Sequence, residues 1–156
     1  MKFGLYTLLI ENHMKRSLAF SLYSNIFEFG WGNGYVLLPY NHPFYGVHYD
    51  ILNINAHGGL TFSEKFKDTR FLKWVEGLEI DGDVTRENFK KFDGYWIIGF
   101  DTAHSGDDLI TCSKEYVINE TTNILEQCLS DDIENIEKYK SIYLRKDKLK
   151  KINIIK

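Results

Sequence analysis

The sequence predicts an α+β fold, in which a mainly antiparallel β-sheet is packed by one C-terminal helix. Short runs of β-branched and aromatic residues, separated by Gly and Pro, predict strands, and the run at residues 95–100 is apolar enough for the middle of a sheet. Residues 114–129 instead carry apolar side chains at helical spacing. At 156 residues the chain fits a single domain, 1–156, with its core at 31–129.

The first part of the chain predicts short elements. Residues 1–30 mix apolar and polar side chains too irregularly to predict a helix or a strand. The Trp-Gly-Asn-Gly sequence at 31–34 predicts a turn, and residues 35–38 predict a strand that Pro39 ends. Residues 49–55 alternate in polarity and predict another strand.

The second part predicts a strand, an insertion and the main helix. Residues 60–62 predict a strand that follows two glycines, and the highly charged stretch 64–91 predicts a loop or a hairpin insertion. Ser113 is a suitable N-cap for the helix at 114–129. Cys128 lies on the apolar stripe of that helix, so we expect it in the core.

The C-terminal segment is basic. Between residues 138 and 156 there are eight Lys and Arg side chains and one acid, Asp147. We expect a solvated extension there, with residues 131–139 helical and residues 141–144 forming an edge strand. The whole chain has a formal net charge of −3, so no global basic field favours binding to nucleic acid.

Cysteine content and the N-terminal segment bear on the cellular context. Two cysteines make neither a disulfide framework nor a Cys-x-x-Cys metal site. The apolar start of the chain is interrupted after Ile10, which is too short for a membrane span. We therefore expect a cytoplasmic protein with no membrane contact, and the sequence is compatible with a homo-oligomer.

Polar side chains at the ends of predicted strands form the candidate site. His57 follows one strand, and Asp101, His104 and Asp107 follow the strand at 95–100. Loops at strand ends combine a rigid support with chemical variety. These four residues are therefore the catalytic candidates: His57 or His104 would act as general acid or base, oriented by Asp101 or Asp107.

Two further roles for the same segments stay open. His57, Asp101 and His104 offer the mixture of nitrogen and oxygen ligands that a borderline metal ion accepts. Alternatively, the Gly58 and Gly59 amides would receive a phosphate or a carboxylate. The ligand-binding candidates are then His57, Gly58, Gly59, Thr61, Asp101 and His104. A purely structural polar turn is the competing interpretation, because no established catalytic motif is present.

Several segments together resemble a group of short proteins common in bacteriophage genomes. They are Gly34-Tyr35-Val36, Pro39, His42-Pro43, Gly46, Tyr49-Asp50, His57-Gly-Gly-Leu-Thr-Phe-Ser63 and Tyr95-Trp-Ile-Ile-Gly-Phe-Asp-Thr-Ala-His-Ser-Gly-Asp107. A helix like that at 116–129, with an acid such as Glu120 and the Gln127 region, follows them in the group. The similarity covers about residues 31–129 and leaves out the basic tail. It implies a phage accessory protein in the cytoplasm of a bacterial host.

The resemblance favours a counter-defence role, in which a nucleotide immune signal is captured or destroyed. Our leading hypothesis is a protein that sequesters a small phosphorylated or nucleotide-like ligand. In it the Gly58 and Gly59 amides contact phosphate, aromatic rings cover the base, and positive charge comes from Lys65 or the tail. A hydrolase acting on such a ligand, with or without a metal ion, is the first alternative. An inhibitor that binds a host protein through an aromatic patch is the second.

Overall fold

The computed structural model of the chain describes residues 4–12, 29–129, 140–142, 144–146 and 148–152. Five strands lie in these residues: β1 (Tyr6–Glu11), β2 (Gly32–Leu38), β3 (Phe62–Lys65), β4 (Ile80–Gly82) and β5 (Trp96–Phe100). They form one antiparallel sheet in the order β3-β5-β2-β1-β4. The α+β prediction is confirmed, and β5 lies inside the sheet as its apolar sequence indicates.

Helices cover both faces of the sheet. They are α1 (Asp68–Trp74), α2 (Lys114–Cys128) and two 3-10 helices at Tyr49–Ile51 and Arg86–Phe92. Helix α2 packs against β2 and β1, while α1 and the second 3-10 helix pack against each other. Among the described residues, no helix has the length and the apolar composition needed to cross a lipid bilayer.

Side-chain alternation along β2 divides the core into two clusters. Val36 and Leu38 point towards α2 and pack with Ile98, Phe100 and Val117. Tyr35 and Leu37 point to the opposite face, where α1 and the Arg86–Phe92 segment close the second cluster. Since every residue of β2 is buried, this strand has no solvent-facing side.

The turn predicted at residues 31–34 is wrong, because Gly32 and Gly34 are part of β2. A Cβ atom on Gly34 would lie 2.0 Å from Thr121 Oγ1, and one on Gly32 would lie 2.2 Å from the carbonyl oxygen of Ile10. Both glycines therefore serve a close approach to a neighbouring element and do not mark a reversal of the chain.

The strand predicted at residues 49–55 is also wrong. Residues Tyr49–Ile51 form a 3-10 helix, and the chain that follows has no regular structure. Asn55 exchanges its backbone hydrogen bonds with the side chain of Gln127 in α2 and pairs with no strand there. The strand predicted at 60–62 exists as β3, displaced towards the C-terminus.

The stretch 64–91 is part of the core and not a loop or hairpin insertion. It contributes α1, β4 and the second 3-10 helix. Three fully buried phenylalanines anchor it, Phe66, Phe71 and Phe89, and a fourth, Phe92, follows it directly. Their spacing follows neither the helical nor the strand period, and they lie among charged residues. The sequence pattern therefore does not identify them as core residues. Residues 1–30 likewise contain β1, whose Leu8–Ile10 segment is buried between β2 and β4.

The C-terminal helix agrees with the sequence. The Ser113 hydroxyl accepts a hydrogen bond from Tyr116 N at 3.2 Å and caps α2, and Cys128 is fully buried. The edge strand predicted at 141–144 is wrong, since residues 140–142 and 144 are helical. The helix predicted at 131–139 lies outside the described residues.

His42 closes the C-terminal end of α2 from the core. Its Nε2 lies 2.9 Å from the Cys128 carbonyl oxygen, and its Nδ1 accepts a hydrogen bond from Phe44 N at 3.0 Å. This pattern fixes the neutral tautomer with the proton on Nε2. Burial lowers the pKa of His42, and the bond to Cys128 opposes that shift only in part.

Stability should therefore depend on the titration of His42. Its folded pKa lies below the usual 6.5, so the unfolded chain takes up this proton first. The free energy of unfolding should fall as the pH drops below about 6.5, and this contribution should be complete above that value. In His42→Gln the side-chain amide can still donate a hydrogen bond to the Cys128 carbonyl oxygen, but it cannot titrate. We expect this variant to lose less stability than wild type between about pH 6.5 and 5 in urea unfolding. Equal losses in the two proteins would contradict this role.

Candidate functional site

Helix α2 holds the segment that carries His57. Asn55 N donates to Gln127 Oε1 at 2.8 Å, and Gln127 Nε2 donates to Asn55 O at 2.8 Å. Two residues on, His57 N donates to Glu120 Oε2 at 3.1 Å. Because these bonds run from backbone to helix side chains, they fix the position of His57 without a strand partner.

The imidazole of His57 is bound on both sides. Its Nδ1 lies 2.8 Å from Tyr116 Oη, and its Nε2 lies 2.9 Å from Asp107 Oδ1. Burial raises the pKa of Tyr116, and the charge of Glu120 adds to the effect. The phenol therefore stays protonated. Because the Asp107 carboxylate can only accept at Nε2, a neutral imidazole carries its proton there, and the Tyr116 hydroxyl donates to Nδ1.

A tight turn after Asp107 positions Cys112. Asp108 Oδ1 accepts hydrogen bonds from the backbone N–H groups of Ile110 and Thr111 at 2.8 and 2.7 Å. Cys112 N then donates to Asp108 O at 2.8 Å, and Cys112 O accepts from Trp31 N at 2.8 Å. The turn thus returns the chain to the sheet at the start of β2.

Asp107 and Cys112 meet at Nε2 of His57. Burial opposes the ionisation of Asp107, but hydrogen bonds from His104 N and from His57 lower its pKa below the usual value overall. Cys112 Sγ lies 3.5 Å from Asp107 Oδ1 and 3.8 Å from His57 Nε2. Burial raises the pKa of the Cys112 thiol, and the charge of Asp107 raises it further.

Three different donor atoms therefore converge on one point, and they can hold a divalent metal ion. His57 Nε2, Asp107 Oδ1 and Cys112 Sγ lie 2.9 to 3.8 Å from one another. Tetrahedral zinc ligands with bonds of about 2.0–2.3 Å stand roughly 3.3–3.6 Å apart. Tyr116 holds the other nitrogen of His57, and His104 N holds the other oxygen of Asp107, as outer partners of metal ligands do.

The same three residues do not form a nucleophilic triad. In such a triad the imidazole relays a proton between a nucleophile at one nitrogen and a carboxylate at the other. Here Cys112 and Asp107 both lie at Nε2, and Tyr116 occupies Nδ1. The raised pKa of the buried thiol also opposes thiolate formation. The arrangement suits shared coordination and not a relay.

His104 and Asp101 lie at the exposed side of this cluster. His104 Nδ1 is 3.3 Å from Asp107 Oδ2 and 3.6 Å from Asp101 Oδ1, and the two side chains are 36% and 33% exposed. Asp101 Oδ1 also accepts a hydrogen bond from Ala103 N at 3.0 Å. Both groups can reach a ligand that approaches from solvent, so they are suited to proton transfer.

Gly58, Gly59 and Thr61 were also expected at the site, and their environments differ. Gly58 lies directly beneath the ring of His104, and a Cβ there would be 2.5 Å from Cε1 of that ring. The Gly59 amide donates to Ala56 O at 2.8 Å, and the Thr61 amide donates to Gly99 O at 3.0 Å. Of the two amides expected to contact phosphate, that of Gly59 is thus used by the fold, and the amide of Thr61, another ligand-binding candidate, is used as well.

Sequence reasoning missed Cys112 as a site residue and gave Tyr116 no role there. A lone cysteine followed by a helix carries no pattern, so nothing in the sequence pointed to Cys112. The residues of α2 that hold the His57 segment do follow a pattern in the sequence. They form one polar stripe with spacings of four, three and four residues: Tyr116, Glu120, Asn123 and Gln127. This stripe runs beside the buried one and contacts the 55–57 segment.

The cluster is acidic. Within the described part of the chain, no Lys or Arg forms an ion pair with Asp101, Asp107, Asp108 or Glu120. An anionic ligand at this place would be repelled unless a cation is bound with it.

No protein-family model, no curated protein and no solved structure matches the chain. His57, the Asp101–Asp107 loop, Glu120 and Gln127 come from three separate parts of the sequence and lie in one cluster.

Replacing the two glycines one at a time should separate backbone strain from displacement of His104. Gly58 and Gly59 both have positive φ, 66° and 82°, so alanine should cost about 1 kcal/mol at either position. Only at Gly58 would the new methyl group meet the His104 ring, because nothing lies within 4 Å at Gly59. We expect Gly58→Ala, and not Gly59→Ala, to shift the imidazole NMR resonances of His104. Similar spectra for both variants would show that Gly58 does not support His104.

Proposed function

We propose that the protein is a metal-dependent hydrolase that acts on a small phosphorylated, nucleotide-like molecule. The observation that carries the proposal is the convergence of His57 Nε2, Asp107 Oδ1 and Cys112 Sγ on one point. Three protein ligands of mixed type leave one position of a tetrahedral ion for water or substrate, as in catalytic zinc sites.

Electrostatics favour a metal ion over a bare phosphate site. The cluster is acidic, and its aspartate Asp107 ionises readily because its pKa is lowered. A divalent ion held by His57, Asp107 and Cys112 would supply the positive charge that a phosphate requires and would activate water near neutral pH. Binding of the ion would release the proton of Cys112 and move the His57 proton to Nδ1, where the Tyr116 oxygen can accept it.

His104 is the group we assign to proton transfer in the reaction. Hydrolysis of a phosphate ester adds the hydroxyl of water to phosphorus and the remaining proton to the departing oxygen. His104 is partly exposed and lies between Asp101 and Asp107, which would orient its ring. It would accept a proton from water or deliver one to the departing oxygen.

Metal binding should require Cys112 and not Cys128. We expect wild-type protein to bind one Co²⁺ per chain and to show a thiolate-to-cobalt charge-transfer band, with about one proton released per ion. Cys112→Ser should abolish the band and weaken binding by at least about 100-fold.

The matched control is Cys128→Ser, since Cys128 is also a buried free cysteine but lies in the core at the C-terminal end of α2. It should lower stability and leave the band intact. Co²⁺ bound without a thiolate band in wild type would contradict the assignment of Cys112.

Turnover should depend on His104 while metal binding does not. With zinc-loaded protein and bis(p-nitrophenyl) phosphate, followed by a panel of cyclic nucleotides, we expect His104→Gln to lower kcat by about 100-fold or more. Its Co²⁺ affinity should stay within a few-fold of wild type, because His104 is outside the three converging atoms. The product is measured by absorbance and by mass spectrometry of the nucleotide pool.

The matched control is His48→Gln, because His48 is exposed and pairs with Asp50 at 2.7 Å. It should keep wild-type kcat. A nucleotide that leaves the free pool and returns unaltered after heat denaturation would overturn hydrolysis and establish sequestration at the same site. Full activity in His104→Gln would contradict the assignment of proton transfer to His104.

A role in countering host defence, in the cytoplasm of a bacterial host, follows from the phage resemblance and stays a prediction. The chemistry proposed here agrees with destruction of a nucleotide signal. Docking onto a host protein is a separate prediction, and a stable partner that copurifies with the chain would support it.

A further inference from the structure

A cavity lies on the opposite face of the sheet from His57, between β3 and α1. Its volume is about 430 Å³, within the range of small-molecule sites. It is lined by Phe62, Glu64, Arg70, Phe71, Lys73 and Trp74. Phe62 and Trp74 pack against the core cluster that includes Leu37 and Ile97, whereas α2 and the His57 segment lie on the other side. We call this cavity the aromatic groove.

The aromatic groove presents ring faces held in fixed orientation. Phe62 and Trp74 are stacked, with an interplanar angle of 29° and centroids 6.0 Å apart. Tyr35 meets each of them edge-on, at 5.6 and 6.0 Å. Phe71 meets Trp74 edge-on at 5.2 Å from the core side. Both stacked rings are only partly buried, so part of this surface is open to a flat ligand.

Positively charged side chains lie at the rim of the aromatic groove. Arg70 and Lys73 are exposed on α1, and Glu64 on β3 is the acid among the lining residues. Arg70 forms an ion pair with Glu64, and its guanidinium carbon lies 5.4 Å from the centroid of Phe71. Two cations and one anion leave the rim with a charge of +1, in a chain whose formal net charge is −3. Lys73 makes no ion pair with any carboxylate in the described residues.

We propose that the aromatic groove binds a small ligand that joins a planar heteroaromatic ring to a phosphate, such as a nucleoside monophosphate. The ring would lie against Trp74 and Phe62, and the phosphate would contact Lys73 and Arg70. Proteins bind nucleotides without base specificity by stacking aromatic rings on the base and by placing Lys or Arg against the phosphate. This site is independent of the metal centre, since it shares no residue with it.

AMP is the probe for this proposal, and the indole N–H resonances of the three tryptophans are the readout. Trp31 and Trp96 belong to the other core cluster, so they serve as internal controls. The titration uses metal-free protein in EDTA, because the acidic cluster around His57 repels an anion when no cation is bound. We expect AMP to shift the Trp74 resonance and to leave those of Trp31 and Trp96 unchanged. Adenosine and ribose 5-phosphate should each bind more weakly than AMP.

Substitutions at the rim test the contact with phosphate. Lys73→Gln should raise the Kd for AMP by roughly fivefold or more and leave the Kd for adenosine unchanged. Lys90→Gln, an exposed lysine of the Arg86–Phe92 helix, is the matched control and should bind AMP like the parent. The proposal is overturned if AMP leaves the Trp74 resonance unshifted, or if Lys73→Gln binds AMP as tightly as the parent. Either result leaves the proposed hydrolase unaffected, because that proposal is tested through metal binding by Cys112 and turnover by His104.

Discussion

The site depends on the way α2 fixes His57. Three contacts do this: Glu120 accepts the His57 backbone N–H, Tyr116 binds ring Nδ1, and Gln127 ties Asn55 two residues earlier. An irregular segment would otherwise leave its backbone polar groups to water and its imidazole free to rotate. With Nδ1 occupied by Tyr116, only Nε2 is left to face Asp107 and Cys112. The helix thereby decides which nitrogen faces the other two donor atoms.

The sheet fixes the opposite half of the site. The loop after β5 returns to the start of β2 through the bond from Trp31 N to Cys112 O, and buried Thr102 donates its hydroxyl proton to Gly32 O at 2.7 Å. Glycine at position 32 permits β1 to approach, and glycine at position 34 admits Thr121 of α2. Because loop and helix are both held against β2, the donor atoms they carry have little freedom to separate. Because these atoms are already held close together, binding of an ion would require little rearrangement of the protein.

Local patterns explain which parts of this structure the sequence could predict. β5 and α2 have strong strand and helix patterns, and Asp101, His104 and Asp107 follow the end of β5 as expected. His57 was expected at the end of a strand that the structure does not contain, and α2 positions it instead. β1 and the Phe66–Phe92 region are stabilised by pairing and packing with distant residues, which no local window contains. Gly32 and Gly34 resemble turn residues although they serve close packing. Cys112 joins the site only because the Asp108 turn brings it back to β2.

X-ray absorption of the zinc-loaded protein tests the central claim most directly, because it reports the atoms bound to the ion. The account predicts a first shell with one sulfur at about 2.3 Å and nitrogen or oxygen at about 2.0–2.1 Å. The sulfur contribution should disappear in Cys112→Ser and persist in Cys128→Ser. A shell of nitrogen and oxygen alone in the wild-type protein would contradict convergence of His57, Asp107 and Cys112 on one metal ion.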